Sequence, residues 1–186
     1  MDTENINRRD FLQVAAAAGI AALSASAVFN VTGAETASPQ KKKIYLCGVC
    51  GHVEFGKPPE RCPICRSPKE KFEQSDALFS ESAAKFKSLA AEHAIIITAK
   101  KKSAVVTEAP SISVQARVGK PIHPSTDEHR IRFIDCYIDD VYVGCTLPTT
   151  RLHPAAGFEI KTPGSVIRVV ALCTLHGYWQ KEMNVS

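Results

Sequence analysis

The chain has 186 residues, of which 45% are hydrophobic and 23% are charged, with seven cysteines and a formal net charge of +4. This composition is typical of a globular protein. The positive charge favours anionic ligands or an acidic partner, but it is too small to indicate binding to nucleic acid.

Residues 1–37 have the pattern of an export signal. The pair Arg8-Arg9 precedes an apolar, alanine-rich run from Val14 to Phe29, and small residues follow. The paired arginines resemble a twin-arginine signal, a route that exports proteins already folded. The run is too short and too rich in alanine for a membrane span, which needs about 20 strongly apolar residues. We therefore expect export to the periplasm or the extracytoplasmic face. Without the signal, which carries two basic and four acidic residues, the formal charge rises to +6.

Residues 41–74 contain two C-x-x-C pairs, and we predict that they form a small domain around a metal. In such a pair, a tight turn directs both sulfurs at one metal, and backbone N–H groups donate to the thiolates. A segment this short needs such a staple because it cannot bury an adequate core. The spacing favours a four-sulfur site over two disulfides, but it does not distinguish iron from zinc. The predicted ligands are Cys47, Cys50, Cys62 and Cys65.

The residues around these cysteines resemble the rubredoxin-like domain of rubrerythrins. The likeness covers about thirty residues, from Tyr45 through Glu60-Arg61 to Lys71-Phe72. It implies a mononuclear iron with four cysteine ligands that passes single electrons, with zinc as the alternative. We expect His52, just after the first pair, to lie on the surface.

A linker helix is predicted over residues 75–91, with Asp76 as its N-terminal cap and one apolar face that includes Leu78, Phe79, Phe86 and Leu89. From residue 92 to residue 186 the hydrophobic period changes to two. This pattern predicts a mainly β domain, an immunoglobulin-like antiparallel sandwich or barrel. The predicted strands are Ala94–Ala99, Ala104–Glu108, Ile112–Val118, Arg130–Ile138, Val141–Thr146, Gly157–Lys161 and Val166–Cys173.

The predicted β domain contains a second group of candidate metal ligands. His123 and His129 flank one loop, and we expect His129 to point inward on the same strand face as Ile131 and Phe133. A single inward histidine is usually a core residue, but two of them together with the C-x-x-H of Cys173 and His176 indicate a metal. A nucleophile with its base is the competing interpretation of that C-x-x-H pair, and it leaves the other histidines unexplained.

This domain resembles the desulfoferrodoxins and neelaredoxins, which are superoxide reductases. The likeness rests on Val118 to His129, on the strand from Ile131 to Asp139, and on Cys173-Thr174-Leu175-His176-Gly177-Tyr178-Trp179. The resemblance implies one non-haem iron with four histidines in a plane and a cysteine thiolate along the axis. The implied ligands are His93, His123, His129, His176 and Cys173.

What the resemblance implies is a superoxide reductase, which reduces superoxide by one electron to hydrogen peroxide and releases no oxygen. The electrons come from a reduced donor protein, rubredoxin-like or other, and the four-cysteine iron is a possible relay. Members of the family associate as dimers or tetramers. The alternative is an exported electron carrier or redox sensor with two iron centres and no significant turnover.

The chain departs from the family just before the first histidine. The family usually has Glu-Lys there, whereas this chain has Ala91-Glu92-His93. Either Glu92 closes the ferric site from a shifted position or the site lacks that cap, and Lys120 is the candidate for the missing positive charge.

Three further residues are expected to have no catalytic role. Cys136 and Cys145 are predicted to be buried thiols in strands, although a disulfide between them is the alternative in an oxidising compartment. His153 is predicted to be a loop residue.

Overall fold

The computed structural model describes residues 42–103 and 109–185. The predicted export signal, Lys41 and the predicted strand Ala104–Glu108 lie outside these residues. Among the residues described, no helix is both long enough and apolar enough to cross a membrane.

The segment with the two C-x-x-C pairs folds around a small antiparallel sheet. Its strand order is β2-β1-β3, and a short 3-10 helix, Lys69–Lys71, precedes β3. The cysteine pairs lie in the turns around this sheet, with Cys47 at the end of β1. The strands are β1 (Ile44–Cys47), β2 (Val53–Phe55) and β3 (Phe72–Gln74).

The linker helix is shorter than predicted. Helix α1 spans Leu78–Lys85, and a 3-10 turn, Lys87–Leu89, follows it. The α-helix ends where Phe86 leaves helical geometry (φ −116°, ψ 36°) and its ring meets His176 edge-on, 4.7 Å between ring centroids. The prediction that Asp76 caps the helix is wrong. Its carboxylate instead accepts a hydrogen bond from the backbone N–H of Ile44 (2.9 Å) and so ties the helix start to β1.

The remaining strands form two antiparallel sheets, as the mainly β prediction required. One has the order β10-β9-β6-β7 and the other β4-β5-β8. Among the predicted strands that the structure describes, β7 and β9 have the predicted bounds and the others shift at their ends. The strands are β4 (Ile95–Lys102), β5 (Ser111–Val118), β6 (Ile131–Ile138), β7 (Val141–Thr146), β8 (Ala155–Ile160), β9 (Val166–Cys173) and β10 (Gly177–Asn184).

Two features of the β domain differ from the prediction. Strand β10, which pairs with β9 along its whole length, was not predicted because its residues do not alternate between polar and apolar. A register shift between Ile131 and Phe133 places these residues on opposite faces of the sheet, so they do not share a face. A bulge of this kind reverses the side-chain alternation that sequence periodicity assumes.

The four-stranded sheet is buried on both faces. Its inner face packs on β4, β5 and β8, in a core that includes Val114, Ile134 and Val169. Its outer face packs on the small sheet and on α1. We call this second core the docking core, and its members are Ile44, Val53, Phe55, Leu78, Phe79, Phe133, Tyr137, Val170 and Leu172. The four-cysteine domain is therefore packed directly against the β domain.

Candidate metal centres

The four cysteines of the small domain converge as predicted. Their sulfur atoms all lie within 4.8 Å of one another, and the Sγ–Sγ distances are 3.7 Å for Cys47 to Cys65 and 3.6 Å for Cys50 to Cys62. Four soft sulfur donors at this spacing fit a tetrahedral iron or zinc ion.

Hydrogen bonds to the sulfurs favour thiolates on one side of this group. Ser67 Oγ lies 3.3 Å from Cys47 Sγ and 3.1 Å from Cys65 Sγ. The bonds from the Ser67 hydroxyl and backbone lower the pKa of Cys65 to about 6. Burial raises the pKa values of Cys50 and Cys62, although backbone N–H groups oppose the rise. A bound cation would remove that penalty, because a thiol releases its proton to solvent when it binds a metal and the cation stabilises the thiolate.

His52 is a buried residue, so the expectation that it lies on the surface is wrong. Only 1% of its surface is exposed. Its Nδ1 lies 3.0 Å from Asp135 Oδ2 on strand β6, and its Nε2 lies 2.9 Å from Glu54 Oε1. Burial disfavours a charged imidazole, but the bonds to Asp135 and then Glu54 outweigh it and raise the pKa of His52 to about 9. His52 therefore joins the two domains as a buried cation between two carboxylates.

The second group of ligands comes from four separate places in the β domain. His93 lies in the turn before β4, and His123 and His129 both lie in the loop between β5 and β6, with His129 two residues before β6. Cys173 ends β9, and His176 lies in the turn before β10. One donor atom of each residue lies within 4.8 Å of the others. The antiparallel sheets thus bring together all five residues that the sequence singled out.

The four imidazole rings form a four-sided ring around one point. The centroid distances along its sides are 4.8 Å, 4.6 Å, 4.8 Å and 4.9 Å in the order His93, His123, His129, His176. The diagonal from His93 to His129 is 6.4 Å, and each ring is steeply inclined to its neighbours. Cys173 lies outside this ring, with Sγ 3.6 Å from His176 Nδ1. This is the arrangement of four nitrogen donors and one sulfur donor around a single ion.

Hydrogen bonds fix which ring nitrogen faces the centre. Nδ1 of His93 donates to the carbonyl of Leu89 and Nδ1 of His123 donates to that of Pro124, both at 2.8 Å. Their Nε2 atoms therefore carry lone pairs and point inward, 3.3 Å apart. His129 Nε2 is fully buried and has no hydrogen-bond partner. His176 points inward through Nδ1, which lies 3.1 Å from His93 Nε2. A buried unpaired nitrogen beside three converging ones is costly unless a ligand binds there.

The site also favours the uncharged form of three of its histidines. Burial lowers the pKa values of His93 and His176 and lowers that of His123 to about 4. Neutral imidazole is the form that binds metals. Burial raises the pKa of Cys173, against the backbone N–H groups of Leu175 and His176, which donate to its sulfur. A cation among these donors would compensate the buried thiolate.

Aromatic side chains form the wall of the second site. Trp179 on β10 stacks on His93, with 4.5 Å between ring centroids and 16° between planes. Phe86, just after α1, packs edge-on against His176. These contacts restrict the orientation of two of the five donors.

Glu92 and Lys120 lie at the edge of this site. Glu92 is half-buried, and its charge opposes the lowering of the pKa values of His93 and His176. The side chain of Lys120 is exposed, while its backbone N–H donates to the carbonyl of Ala91 at 2.8 Å. Lys120 therefore lies beside the segment in which the family has its lysine.

Gly119 supports the loop that carries His123. Its φ is +100°, and a Cβ at this position would overlap the backbone of His123 and Pro121. Because both the backbone conformation and the space require glycine, we expect Gly119→Ala to shift His123 and weaken metal binding at the second site by about 10–100-fold, as loss of a supporting contact does. Metal retention under chelator challenge measures this effect.

A matched control for this substitution is Gly157→Ala in strand β8. A Cβ there would meet no atom within 4 Å. This variant should retain metal like the unaltered protein. Equal retention by both variants would show that the Gly119 loop does not hold His123 in place.

The three residues expected to have no catalytic role lie outside both ligand groups. Cys136 is fully buried in the inner core, whereas Cys145 is half-buried against the docking core. They occupy neighbouring strands on opposite faces of the sheet, because Cys136 pairs with Gly144 and Cys145 with Asp135. A disulfide between them does not fit this register. His153 is exposed in the loop before β8.

Three residues that matter at the two sites were missed from the sequence. Ser67 contacts two sulfurs, His52 pairs with Asp135, and Tyr178 donates a hydrogen bond to the carbonyl of Gly51 (2.9 Å). Ser67 follows a C-x-x-C pair closely, so its spacing could have indicated it. The other two depend on partners far away in the chain.

Comparison with known proteins identifies both domains. Residues 83–182, more than half of the chain, match the desulfoferrodoxin family, and residues 45–73 match the rubredoxin-like domain of rubrerythrin. A putative superoxide reductase of Methanocaldococcus jannaschii is 30% identical over 39% of this chain and 66% of its own length. Nigerythrin of Nitratidesulfovibrio vulgaris is 43% identical over 19% of this chain and 17% of its own length. The matching part of this chain thus covers less than two thirds of the length of either relative.

Among solved structures, a variant of the superoxide reductase (neelaredoxin) from Ignicoccus hospitalis is similar over 54% of this chain and 84% of its own. It has 27% sequence identity to this chain and a TM-score of 0.45. The match over residues 83–182 is decisive for the family. The chain belongs to the desulfoferrodoxin family and carries a rubredoxin-like domain ahead of the matching region.

Proposed function

We propose that this protein is a superoxide reductase whose active site is an iron held by His93, His123, His129, His176 and Cys173. The observation that carries the proposal is the ring of four inward-pointing imidazoles with a cysteine beside it, all five donor atoms within 4.8 Å of one another. Nitrogen and thiolate donors suit iron, and five donors leave a sixth position for a small anion.

Iron at this site would supply one electron to superoxide, which takes up two protons and leaves as hydrogen peroxide. The protein's contribution is to hold the donors in one arrangement. The carbonyls of Leu89 and Pro124 fix the tautomers of His93 and His123, and Trp179 fixes the plane of His93. The N–H groups of Leu175 and His176 stabilise negative charge on Cys173. The Cys173 thiolate, as an electron-rich ligand, would donate electron density to a bound iron.

We assign the two charged residues at the site edge to opposite roles. Glu92 is the group that closes the sixth position between turnovers, in place of the family's glutamate one position earlier. Lys120 attracts the anion, in place of the family's lysine. These roles are supported by the position of Glu92 next to His93 and by the backbone hydrogen bond from Lys120 to Ala91, two residues before His93.

The electron supply is the second part of the proposal. We propose that the four cysteines of the rubredoxin-like domain hold a second iron, which receives single electrons from a reduced donor protein. Packing of this domain on the β domain through the docking core supports a relay within one chain. We also propose that the protein is exported through the twin-arginine route, because a metal loaded in the cytoplasm requires folding before transport. We further propose that the chain associates into dimers or tetramers.

The role of Lys120 predicts a salt-dependent loss of rate in Lys120→Ala. We expect the second-order rate constant with superoxide to fall several-fold at low ionic strength, as part of the ~10–10³-fold that focused charge contributes to association in general. The loss should shrink as salt is added.

The control for this prediction is Lys100→Ala, which removes the same charge from an exposed position on β4. Its rate constant should be nearly unchanged. An unchanged rate constant in Lys120→Ala would remove Lys120 as the source of the positive charge.

The reaction is tested by stoichiometry. Reduced, iron-loaded protein should yield one hydrogen peroxide for each superoxide consumed and no oxygen. One peroxide for every two superoxides, with release of oxygen, would indicate a dismutase. Decay of superoxide at its uncatalysed rate would instead support an electron carrier or redox sensor.

A further inference from the structure

We propose that Tyr178 connects the two metal centres and positions them for electron transfer within one chain. This inference rests on the proposed function, because it requires both ligand groups to hold iron. Tyr178 packs against the docking core, at the contact between the two domains that we call the docking surface, and no step of the reaction at either metal requires it. In this role it is a positioning residue and not a catalytic one.

The connection consists of a single hydrogen bond between two short stretches of backbone. The Tyr178 hydroxyl donates to the carbonyl of Gly51 at 2.9 Å. Gly51 directly follows Cys50, a ligand of the first group, and Tyr178 is two residues after His176, a ligand of the second. The path therefore runs from Cys50 through one peptide to the Gly51 carbonyl, across the hydrogen bond, and through the phenol and backbone to His176.

Gly51 allows the Tyr178 hydroxyl to approach the backbone next to Cys50 closely. Its φ is +83°, and a Cβ at this position would lie 2.7 Å from the Tyr178 hydroxyl oxygen and 3.5 Å from Leu172 Cδ2. Leu172 faces Tyr178 across the β9–β10 pair and precedes Cys173. The turn at Cys50-Gly51, which we call the knuckle of the first centre, thus contacts β9, which ends in Cys173, and β10, which begins directly after His176.

Helix α1 holds the other side of the same turn. The backbone N–H of Tyr178 donates to Ser82 Oγ at 3.0 Å. A Cβ on Gly177, whose φ is +72°, would lie 2.6 Å from that oxygen. Ser82 in turn donates to the carbonyl of Leu78. The turn after His176 is therefore fixed by the linker helix, and Tyr178 reaches the knuckle from a rigid position.

A second tyrosine crosses the docking surface but leads elsewhere. The Tyr137 hydroxyl donates to the carbonyl of Val53 at 2.7 Å. Val53 begins β2, and Tyr137 lies near the far end of β6, so neither adjoins a ligand. The two tyrosines offer the same chemistry at one interface, with only Tyr178 beside both ligand groups.

The electron transfer itself changes no bond. One electron leaves the reduced iron of the four-cysteine group and reduces the ferric iron of the histidine group. Tyr178 keeps its proton and its electrons throughout. Its hydroxyl provides a hydrogen bond to Gly51. Without this bond, the electron path would have to cross the van der Waals gap between the two domains.

The test compares Tyr178→Phe with Tyr137→Phe in the protein loaded with two irons. A flash-generated one-electron reductant reduces the four-cysteine centre, two of whose cysteines are partly exposed, and the visible absorption of each centre is followed in time without superoxide. We expect internal transfer in the unaltered protein and a several-fold slower transfer in Tyr178→Phe, with little change in Tyr137→Phe. The midpoint potential of each centre, measured by redox titration, should be the same in all three proteins.

Two further readouts separate a connection from general loosening of the interface. Tyr178→Phe loses the one hydrogen bond to Gly51, whereas Tyr137→Phe loses the contacts with both Val53 and Asp135, so Tyr137→Phe should show the larger decrease in the denaturant midpoint and yet the smaller effect on transfer. Equal slowing in both variants, unchanged transfer in Tyr178→Phe, or slowing explained by a shifted potential would overturn the proposal. Because superoxide is absent, failure of the reductase function would appear only in the stoichiometry assay.

Discussion

We expect Cys173→Ser to lose activity toward superoxide and to lose the metal of the second site. Cys173 is the only sulfur donor in that ligand group, and two backbone N–H groups stabilise its thiolate. A serine hydroxyl at the same position would be a poor metal ligand. Removing the outer contacts of a metal ligand alone costs about 10–100-fold in affinity, so loss of the ligand should cost more than about 100-fold. Iron per chain, the thiolate-to-iron absorption and superoxide consumption measure the effect.

The matched control is Cys145→Ala, which removes a half-buried thiol outside both ligand groups. It should retain two irons per chain and the full rate. Cys173→Ser should itself retain the iron of the four-cysteine site. A Cys173→Ser protein with an unchanged spectrum and rate would show that Cys173 is not a ligand.

The second large effect is expected at the buried ion pair between the domains. His52 and Asp135 are each 1% exposed and lie 3.0 Å apart, with Tyr137 also donating to the Asp135 carboxylate at 3.3 Å. Removal of one partner of a buried pair typically costs about 3–5 kcal/mol. Glu54 remains beside His52, so we expect Asp135→Asn to lower the free energy of unfolding by an amount near the lower end, about 3 kcal/mol. Urea denaturation measures the loss.

An exposed ion pair provides the control for this substitution. Asp127 lies 3.6 Å from Arg130, and its side chain is 87% exposed. Asp127→Asn should change the stability by less than about 0.5 kcal/mol. Similar stabilities for Asp135→Asn and Asp127→Asn would mean that the buried pair contributes nothing to the docking of the domains.

The same pair predicts a loss of stability at alkaline pH. The folded-state pKa of His52, about 9, is raised above the value near 6.5 of an unfolded chain. Its contribution is therefore fully present below pH 6.5 and is lost as the pH rises through about 9. The shift corresponds to about 3 kcal/mol at most. The stability of Asp135→Asn should depend much less on pH over this window, and parallel curves for the two proteins would contradict the assignment.

Local spacing was enough to predict the paired ligands, whereas His93 was predicted only from the resemblance to the family. Each C-x-x-C pair and the C-x-x-H pair place two donors in one turn, so Cys47 and Cys50, or Cys173 and His176, are neighbours wherever the turn lies in the fold. Strands β7 and β9 were predicted with correct bounds because their hydrophobic patterns are bounded by turn residues. The mainly antiparallel β fold followed from such local signals.

Interactions across the chain account for what was missed. His52 follows a surface turn in sequence, yet it is buried because Asp135, 83 residues later, lies opposite it. Helix α1 ends early because Phe86 packs against His176, which lies 90 residues later in the chain, in the turn between β9 and β10. The bulge at Arg132 reverses the alternation of β6 and depends on its pairing with β9. Spacing within a segment contains no information about such partners.

The central claim is that the five-ligand site holds an iron that reacts with superoxide. The most direct measurement is rapid mixing of the reduced, iron-loaded protein with superoxide while the thiolate-to-iron absorption is recorded. We expect this absorption to appear as superoxide is consumed, to disappear again on one-electron reduction, and to be absent in Cys173→Ser. A spectrum that does not change while superoxide decays at its uncatalysed rate would show that no such iron site reacts with superoxide.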